Sequence, residues 1–241
     1  MVNYKYNYMK EINVILTAYK RNYFKEQIEA IKRQKNVIIK NIILWQNESH
    51  IDLSFVRDMG VKLIQSDTNF KYHGRFTLPL LLDDVEYSAV FDDDTIPGDG
   101  WLENAIRCVD THNCIAGQNG RDYNWSNKRF TGGGDDGRIG NDTKFDLVGH
   151  CWVFKTEMVR SLWNQKQVSY ETGEDMQFCL SAKYHLGIDS YCVRQTNHID
   201  TGQLKNRYGG DNNASFRTLG DRHHTLRSEI FETWSNKIKN K

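Results

Sequence analysis

The sequence predicts an α/β fold with a mostly parallel central sheet flanked by helices. From Ile12 onward, short apolar or β-branched runs alternate with segments of helical period, which is typical of βαβ units. The run 37–45 is apolar nearly throughout, as strands covered on both faces are. An acidic turn directly follows the fourth run, and ligands bind at such strand ends in open α/β sheets.

We find no internal repeat, and 241 residues are enough for one well-buried domain. We therefore expect residues 1–241 to form a single domain. Its core is expected over about 12–200, with a C-terminal extension over 201–241.

The first part of the chain contains strands predicted at 12–18, 37–45, 61–65 and 86–91. Phe24, Ile28 and Ile31 are spaced i, i+4, i+7, which predicts a helix after the first strand with Asn22 as its cap. Another helix is predicted over 76–82, where Pro79 is tolerated because it lies near the first turn.

The second part begins with a helix marked by Leu102, Ile106 and Val109 and a short strand at 114–117. Glycine, aspartate and asparagine dominate from Gln118 to Asp146, which predicts a long polar loop, and such loops are usually functional or mobile. The remaining predicted elements are strands at 145–154 and 190–193 and helices at 157–163, 174–185 and about 221–237.

The composition excludes several classes of protein. With 32 Lys and Arg against 31 Asp and Glu, no charge excess favours a nucleic acid or an anionic membrane surface. Apolar runs such as 78–82 fall far short of the roughly 20 residues that a membrane span needs. Residues 1–8 lack an apolar stretch and a small-residue cleavage site, so we expect no secretory signal and a cytoplasmic location. The five cysteines include no Cys-x-x-Cys pair and are expected to be reduced core residues.

Three adjacent carboxylates, Asp92, Asp93 and Asp94, follow the predicted strand 86–91. Such groups repel one another, and partial burial raises that cost unless a cation compensates. Hard oxygen ligands suit Mn²⁺ or Mg²⁺, which complete their coordination with water and phosphate oxygens. The alternative is a solvated acidic turn, because aspartate also favours turns.

A second acidic pair, Glu174 and Asp175, begins a predicted helix directly after Gly173. A helix N-terminus stabilises an ionised carboxylate, which keeps one of the pair available as a base near neutral pH. An ordinary acidic first turn is the alternative interpretation of the isolated pair.

Four runs of residues, in this order, resemble the GT-A class of nucleotide-sugar glycosyltransferases. The likeness is greatest to the large family 2 group, with some likeness to the exostosin-type enzymes, and it spans roughly residues 12–200. The runs are Thr17-Ala18-Tyr19-Lys20-Arg21, Val90-Phe91-Asp92-Asp93-Asp94-Thr95, Leu147-Val148-Gly149-His150-Cys151-Trp152-Val153-Phe154 and Gly173-Glu174-Asp175-Met176-Gln177-Phe178.

The resemblance implies a GT-A (Rossmann-like) fold and a D-x-D element formed by Asp92 and Asp94. Asp94 would be the direct ligand of Mn²⁺ or Mg²⁺. Asp92 would also belong to the metal site and would lie nearer the sugar or ribose. His198, just past the last strand, would be a further metal or phosphate ligand, with a purely structural histidine as the alternative.

The resemblance also implies a donor site and a catalytic pair. Asp175 would deprotonate the acceptor hydroxyl, with Glu174 beside it, and Arg75 would reach the diphosphate, as an arginine that opens a helix can. The implied nucleotide-sugar-binding residues are Thr17, Tyr19, Arg21, Asn47, Arg75, Asp92 and Asp93.

The implied activity is metal-dependent transfer of a hexosyl group from a nucleotide diphosphate sugar, with UDP preferred, to a hydroxyl of a glycan or other acceptor, with inversion. A retaining, exostosin-like transferase is the alternative if no base faces the acceptor. A sugar-phosphate nucleotidyltransferase would carry a Gly-x-Gly-x-Arg loop where this chain has residues 17–21. A non-catalytic nucleotide-sugar-binding module is also left open.

Overall fold

The computed structural model of the chain describes residues 9–82, 84–132, 140–197, 200–203 and 211–241. Within these ranges the strands are β1 Lys10–Ala18, β2 Val37–Asn47, β3 Lys62–Ser66, β4 Tyr87–Phe91, β5 Ile115–Asn124, β6 Arg129–Gly132, β7 Thr143–Phe145, β8 Leu147–Lys155 and β9 Ser190–Cys192. The α-helices are α1 Phe24–Lys32, α2 Trp101–His112, α3 Arg160–Trp163, α4 Glu174–Leu186, α5 Ser215–Leu219 and α6 Asp221–Lys239.

The strands form one sheet in the order β3-β2-β1-β4-β8-β5-β9-β7, and β6 pairs with β5. Strands β3, β2, β1 and β4 are parallel, whereas β8 runs antiparallel between β4 and β5. The predicted α/β fold is therefore confirmed, with a mixed, largely parallel sheet flanked by helices. Because β1, β2 and β4 are parallel, their carboxyl ends meet at one edge of the sheet.

The core lies on both faces of this sheet. Val14 and Leu16 of β1 pack with Phe24 and Ile28 of α1 on one face. Ile15 points to the other face and belongs to a second cluster, which includes Phe178 of α4 and Trp234 of α6. This alternation explains why Val14, Ile15 and Leu16 are all apolar, because each successive side chain enters a different covered face.

Two local predictions are wrong. Tyr23 rather than Asn22 precedes the first turn of α1, and no side chain caps that helix. The segment 76–82 forms two short 3₁₀ segments, His73–Phe76 and Leu78–Leu81, instead of an α-helix. Pro79 is tolerated there because it lies at the start of the second segment, where no backbone donor is required.

The long polar loop predicted from Gln118 to Asp146 is partly sheet. Strand β5 extends to Asn124 and pairs with β6, and β7 lies within the same segment. Strand pairing uses backbone groups, so these polar residues join the sheet although their sequence lacks the apolar pattern by which strands are predicted. Of the segment predicted as this loop, residues 133–139 lie outside the described ranges.

The five cysteines are all buried and carry free thiols, as core residues do. In the described part of the chain, no helix has both the length and the apolarity that a membrane crossing requires.

Gly120 of β5 lies against the ring of Phe145, which offers a test of this packing. A Cβ atom at Gly120 would lie 2.1 Å from Cδ2 of Phe145. We expect Gly120→Ala to lower the free energy of unfolding by about 1–3 kcal/mol, because the ring has to move. Urea denaturation measures the change, with Gly140→Ala as the control, since nothing lies within 4 Å of a Cβ there. Equal midpoints for the two variants would contradict the packing described here.

Candidate functional site

A cavity of about 1000 Å³ opens at the carboxyl ends of β1, β2 and β4. Every predicted site residue that lies within the described ranges lines it. These residues are Thr17, Tyr19, Arg21, Asn47, Arg75, Asp92, Asp93, Asp94, Glu174 and Asp175. His198, the remaining predicted metal ligand, lies outside the described ranges.

Arg21 is held by carboxylates from two parts of the chain. Its Nη1 contacts Asp93 and lies 2.9 Å from Oδ2 of Asp94. Its Nε and Nη2 donate to Asp211 over 2.9 and 2.8 Å. Burial raises the pKa of Asp93 to about 7, although the charge of Arg21 opposes that rise. Arg21 therefore fixes the acidic turn and ties the segment before α5 to the cavity.

Arg75 joins the two acidic motifs. Its Nη1 donates to Asp92 and its Nη2 donates to Glu174. The side chain is 6% exposed, and the guanidinium lies 4.6 Å from the ring centroid of Trp152. The carboxylates of Asp92 and Glu174 balance the charge of Arg75, so its guanidinium is already bound by protein groups. Trp152 is itself buried, as a residue within an apolar strand is expected to be.

Replacing Arg75 with methionine tests this bridge. We expect Arg75→Met to lower the free energy of unfolding by about 3–5 kcal/mol, because Asp92 and Glu174 lose the cation that balances them in a buried site. Urea denaturation in the presence of a chelator measures this fall in the free energy of unfolding, because no bound metal can then compensate for the lost arginine. Arg33→Met is the control, because its pair with Asp99 is about half exposed at the arginine and such pairs contribute at most about 1 kcal/mol. Equal losses for the two variants would show that the Arg75 bridge has no special role.

Asp92, Asp94 and His150 form a candidate cation site. One ligand atom from each lies within 4.8 Å of the others. Burial and the charge of Asp92 raise the pKa of Asp94, although Arg21 opposes this. A cation would stabilise that carboxylate as an anion, so the site fits one. Two carboxylates and an imidazole suit Mn²⁺, which accepts both oxygen and nitrogen ligands.

His150 is a residue that sequence reasoning missed as a ligand, although it stands inside one of the four runs. Its φ is +70°, a left-handed conformation that is uncommon for residues other than glycine. Its carbonyl accepts hydrogen bonds from the backbone N–H of Asp92 and the hydroxyl of Thr95, each over 3.0 Å. The strained backbone is therefore fixed to the acidic turn, and such strain is concentrated at functional sites.

Glu174 and Asp175 begin α4 after Gly173, whose φ is +81°. Burial raises the pKa of Glu174 to about 7, and the charge of Arg75 opposes it. Asp175 differs, because although burial would raise its pKa, Arg227 and the Met176 N–H lower it below the ordinary value. Asp175 is therefore ionised at neutral pH. Arg227 lies beyond the residues that carry the resemblance, and no local pattern marked it.

The other end of the cavity is shaped by Asn47 and Thr17. The Asn47 amide donates to the carbonyl of Lys71 over 2.8 Å and accepts from the Phe70 N–H over 2.8 Å. Asn47 thus holds a loop beside the cavity. The hydroxyl of Thr17 is buried and has no hydrogen-bond partner among the described residues, and Thr17 as a residue lines the cavity.

A second group of metal-ligating residues, Cys108, His112 and Asp142, lies elsewhere. Both oxygens of Asp142 already accept hydrogen bonds from Arg107, over 2.9 and 2.8 Å, and the N–H of Arg194 donates to one of them over 2.9 Å. None of the three residues lines the cavity, and we therefore interpret this group as a structural ion-pair network.

The architecture resembles the GT-A fold. The chain is similar in structure to the crystal structure of S. aureus TarS. The TM-score is 0.55 at 14% sequence identity, and the match covers 77% of this chain and 37% of the TarS chain. No protein-family model matches the sequence. No curated protein matches it either.

Proposed function

We propose that the protein is a metal-dependent glycosyltransferase. It transfers a hexosyl group from a nucleotide diphosphate sugar, with UDP as the nucleotide, to a hydroxyl of a glycan or other acceptor. The observation that carries this proposal is that the acidic turn 92–94 and the pair 174–175 line one cavity of a GT-A-like fold. The same cavity therefore offers the donor a phosphate-binding side and offers the acceptor a base.

The donor end of the cavity is assigned to the loop after β1 and the end of β2. Thr17 and Tyr19 line this end of the cavity, and Tyr19 offers an aromatic ring for the base or ribose. Asn47 supports the loop at Lys71, whose ammonium is a suitable partner for an anionic donor. Arg21 holds the D-x-D turn in place through its contacts with Asp93 and Asp94.

We assign Asp94 and Asp92, with His150, to the cation and keep His198 as a further proposed ligand. A bound Mn²⁺ or Mg²⁺ would balance the charge that grows on the diphosphate as the glycosidic bond breaks. Arg75 fixes the orientation of Asp92 and connects it to Glu174, so both acidic motifs are held in one arrangement. Glu174, which is buried, thereby supports its neighbour Asp175.

Asp175 is proposed as the base. The charge of Arg227 keeps it ionised in spite of burial, and its carboxylate lines the cavity. A base facing the acceptor favours a single displacement with inversion over a retaining mechanism. Residues 1–241 are proposed to act as one functional unit, because α5 and α6 contribute cavity residues beyond position 200. A cytoplasmic location is kept as part of the proposal.

A screen of nucleotide sugars with Mn²⁺ tests the proposal. A donor that binds the folded state raises the midpoint of thermal unfolding, and UDP-sugars are expected to raise it only when metal is present. Release of UDP on addition of a hydroxyl acceptor then separates an enzyme from a binding module. Metal-independent binding, or metal-dependent binding without any transfer across a broad acceptor panel, would contradict the proposed activity.

A further inference from the structure

The C-terminal helix α6 packs on the turn that begins α4. Ile230, Phe231 and Trp234 are buried and join the second core cluster. A Cβ atom at Gly173 would lie 2.6 Å from Cδ1 of Ile230, so α6 approaches the N-terminus of α4 as closely as a glycine permits. The position of α6 is therefore tied to the turn that carries Asp175.

Arg227 lies three residues before Ile230 and so on the same face of α6. Its side chain is 15% exposed, and its guanidinium lies 5.5 Å from the ring centroid of Phe130. Its Nη1 donates to Oδ1 of Asp175 over 2.9 Å, and its Nη2 donates to Oδ2 over 3.0 Å. Because the guanidinium is planar, this paired contact fixes the plane of the carboxylate as well as its charge.

The two oxygens of Asp175 are not equivalent. Oδ1 also accepts the backbone N–H of Met176 over 2.7 Å, whereas Arg227 supplies the one hydrogen bond that reaches Oδ2 within the described ranges. Gly149 lies on the Oδ2 side, where a Cβ atom would come within 3.9 Å of that oxygen. At Gly149, therefore, the cavity wall presents backbone rather than a side chain to Oδ2, which has a lone pair to spare.

We propose, as a consequence that rests on the proposed function, that Arg227 is a positioning residue that aims Oδ2 of Asp175 at the acceptor hydroxyl. As the acceptor oxygen bonds to the anomeric carbon, its proton passes to Oδ2. The bond from that carbon to the diphosphate breaks, and the nucleotide leaves with the electron pair. Helix α6, which lies outside the recognised motifs, is thereby part of the active site.

Arg222 provides a matched control on the same helix. It also forms a paired contact, with Glu171 over 2.9 and 2.6 Å, but its side chain is 61% exposed. The experiment compares Arg227→Gln, Arg227→Lys and Arg222→Gln by steady-state kinetics and by donor-induced thermal shifts with UDP-sugar and Mn²⁺.

We expect Arg227→Gln to lower kcat about 100-fold, the order expected when a reacting group is misplaced by about 1 Å. Donor KM and the donor-induced thermal shift are expected to stay within about twofold, because the donor end is unchanged. Arg227→Lys should have a kcat about tenfold above that of Arg227→Gln, because lysine restores the charge without the planar contact. Arg222→Gln should have the kcat of the wild type. Unchanged kcat in Arg227→Gln, or a rise in KM alone, would overturn the role of Arg227.

Gly149→Ala tests the Oδ2 assignment if Arg227→Gln does not fold. The added methyl makes ordinary contact with Oδ2 and with nothing else within 4 Å, so thermal stability should be unchanged. We expect acceptor KM to rise or kcat to fall at least about fivefold, since the methyl occupies the approach to Oδ2. Wild-type kinetics would overturn the assignment. A wild-type protein that binds no nucleotide sugar would instead show that the proposed function itself has failed.

Discussion

Asp94→Asn is expected to abolish sugar transfer and the metal-dependent part of donor binding. The substitution keeps the shape of the side chain but removes the negative charge that the candidate cation site of Asp92, Asp94 and His150 requires. Turnover is expected to fall below detection. The measurement is UDP release together with the Mn²⁺-dependent thermal shift produced by UDP-sugar.

The matched control for this variant is Asp99→Asn. Asp99 stands in the same connection between β4 and α2, but it pairs with Arg33 near the surface and does not line the cavity. We expect it to leave both measurements unchanged. If Asp94→Asn retained wild-type turnover with Mn²⁺, Asp94 would have no metal role and the proposed chemistry would fail.

Asp175→Asn is expected to separate donor binding from catalysis. An amide cannot accept the acceptor proton, so turnover should fall at least about 100-fold, the lower end for the loss of a general base. The donor end of the cavity is untouched, so the Mn²⁺-dependent thermal shift with UDP-sugar should persist. The pair of measurements distinguishes a base from a residue that merely holds the fold together.

Asp189→Asn is the corresponding control, because Asp189 forms ion pairs with Lys144 and Lys183 away from the cavity. Its turnover should equal that of the wild type. If Asp175→Asn lost donor binding and turnover together without unfolding, Asp175 would be a donor-site residue. Undiminished turnover would remove the base from the mechanism.

The sequence predicts features that depend on local periodicity. The apolar strands, the helix over Phe24, Ile28 and Ile31, and the acidic turn at the end of β4 all follow from the residues in their own segments. Because parallel strands align their carboxyl ends, the grouping of the predicted site residues at the ends of β1, β2 and β4 also follows, whereas Glu174 and Asp175 reach the cavity from the start of α4.

The features that the sequence does not reveal depend on distant partners. Arg227 lies 52 positions from Asp175, and nothing in α6 indicates which carboxylate it meets. His150 reaches the acidic turn because β8 inserts antiparallel beside β4. The polar residues of β5 and β6 pair through backbone groups, which composition does not record.

The contact of Ile230 with Gly173 has a consequence for fragments of this protein. A polypeptide that ends near residue 200 retains every motif by which the chain is recognised, yet it lacks Asp211 and Arg227. In such a fragment, the apolar surface of α4 would face water and Asp175 would stand without its counter-charge. A domain boundary drawn from the motifs alone would therefore remove residues that line the cavity, and an expressed polypeptide should extend through Trp234.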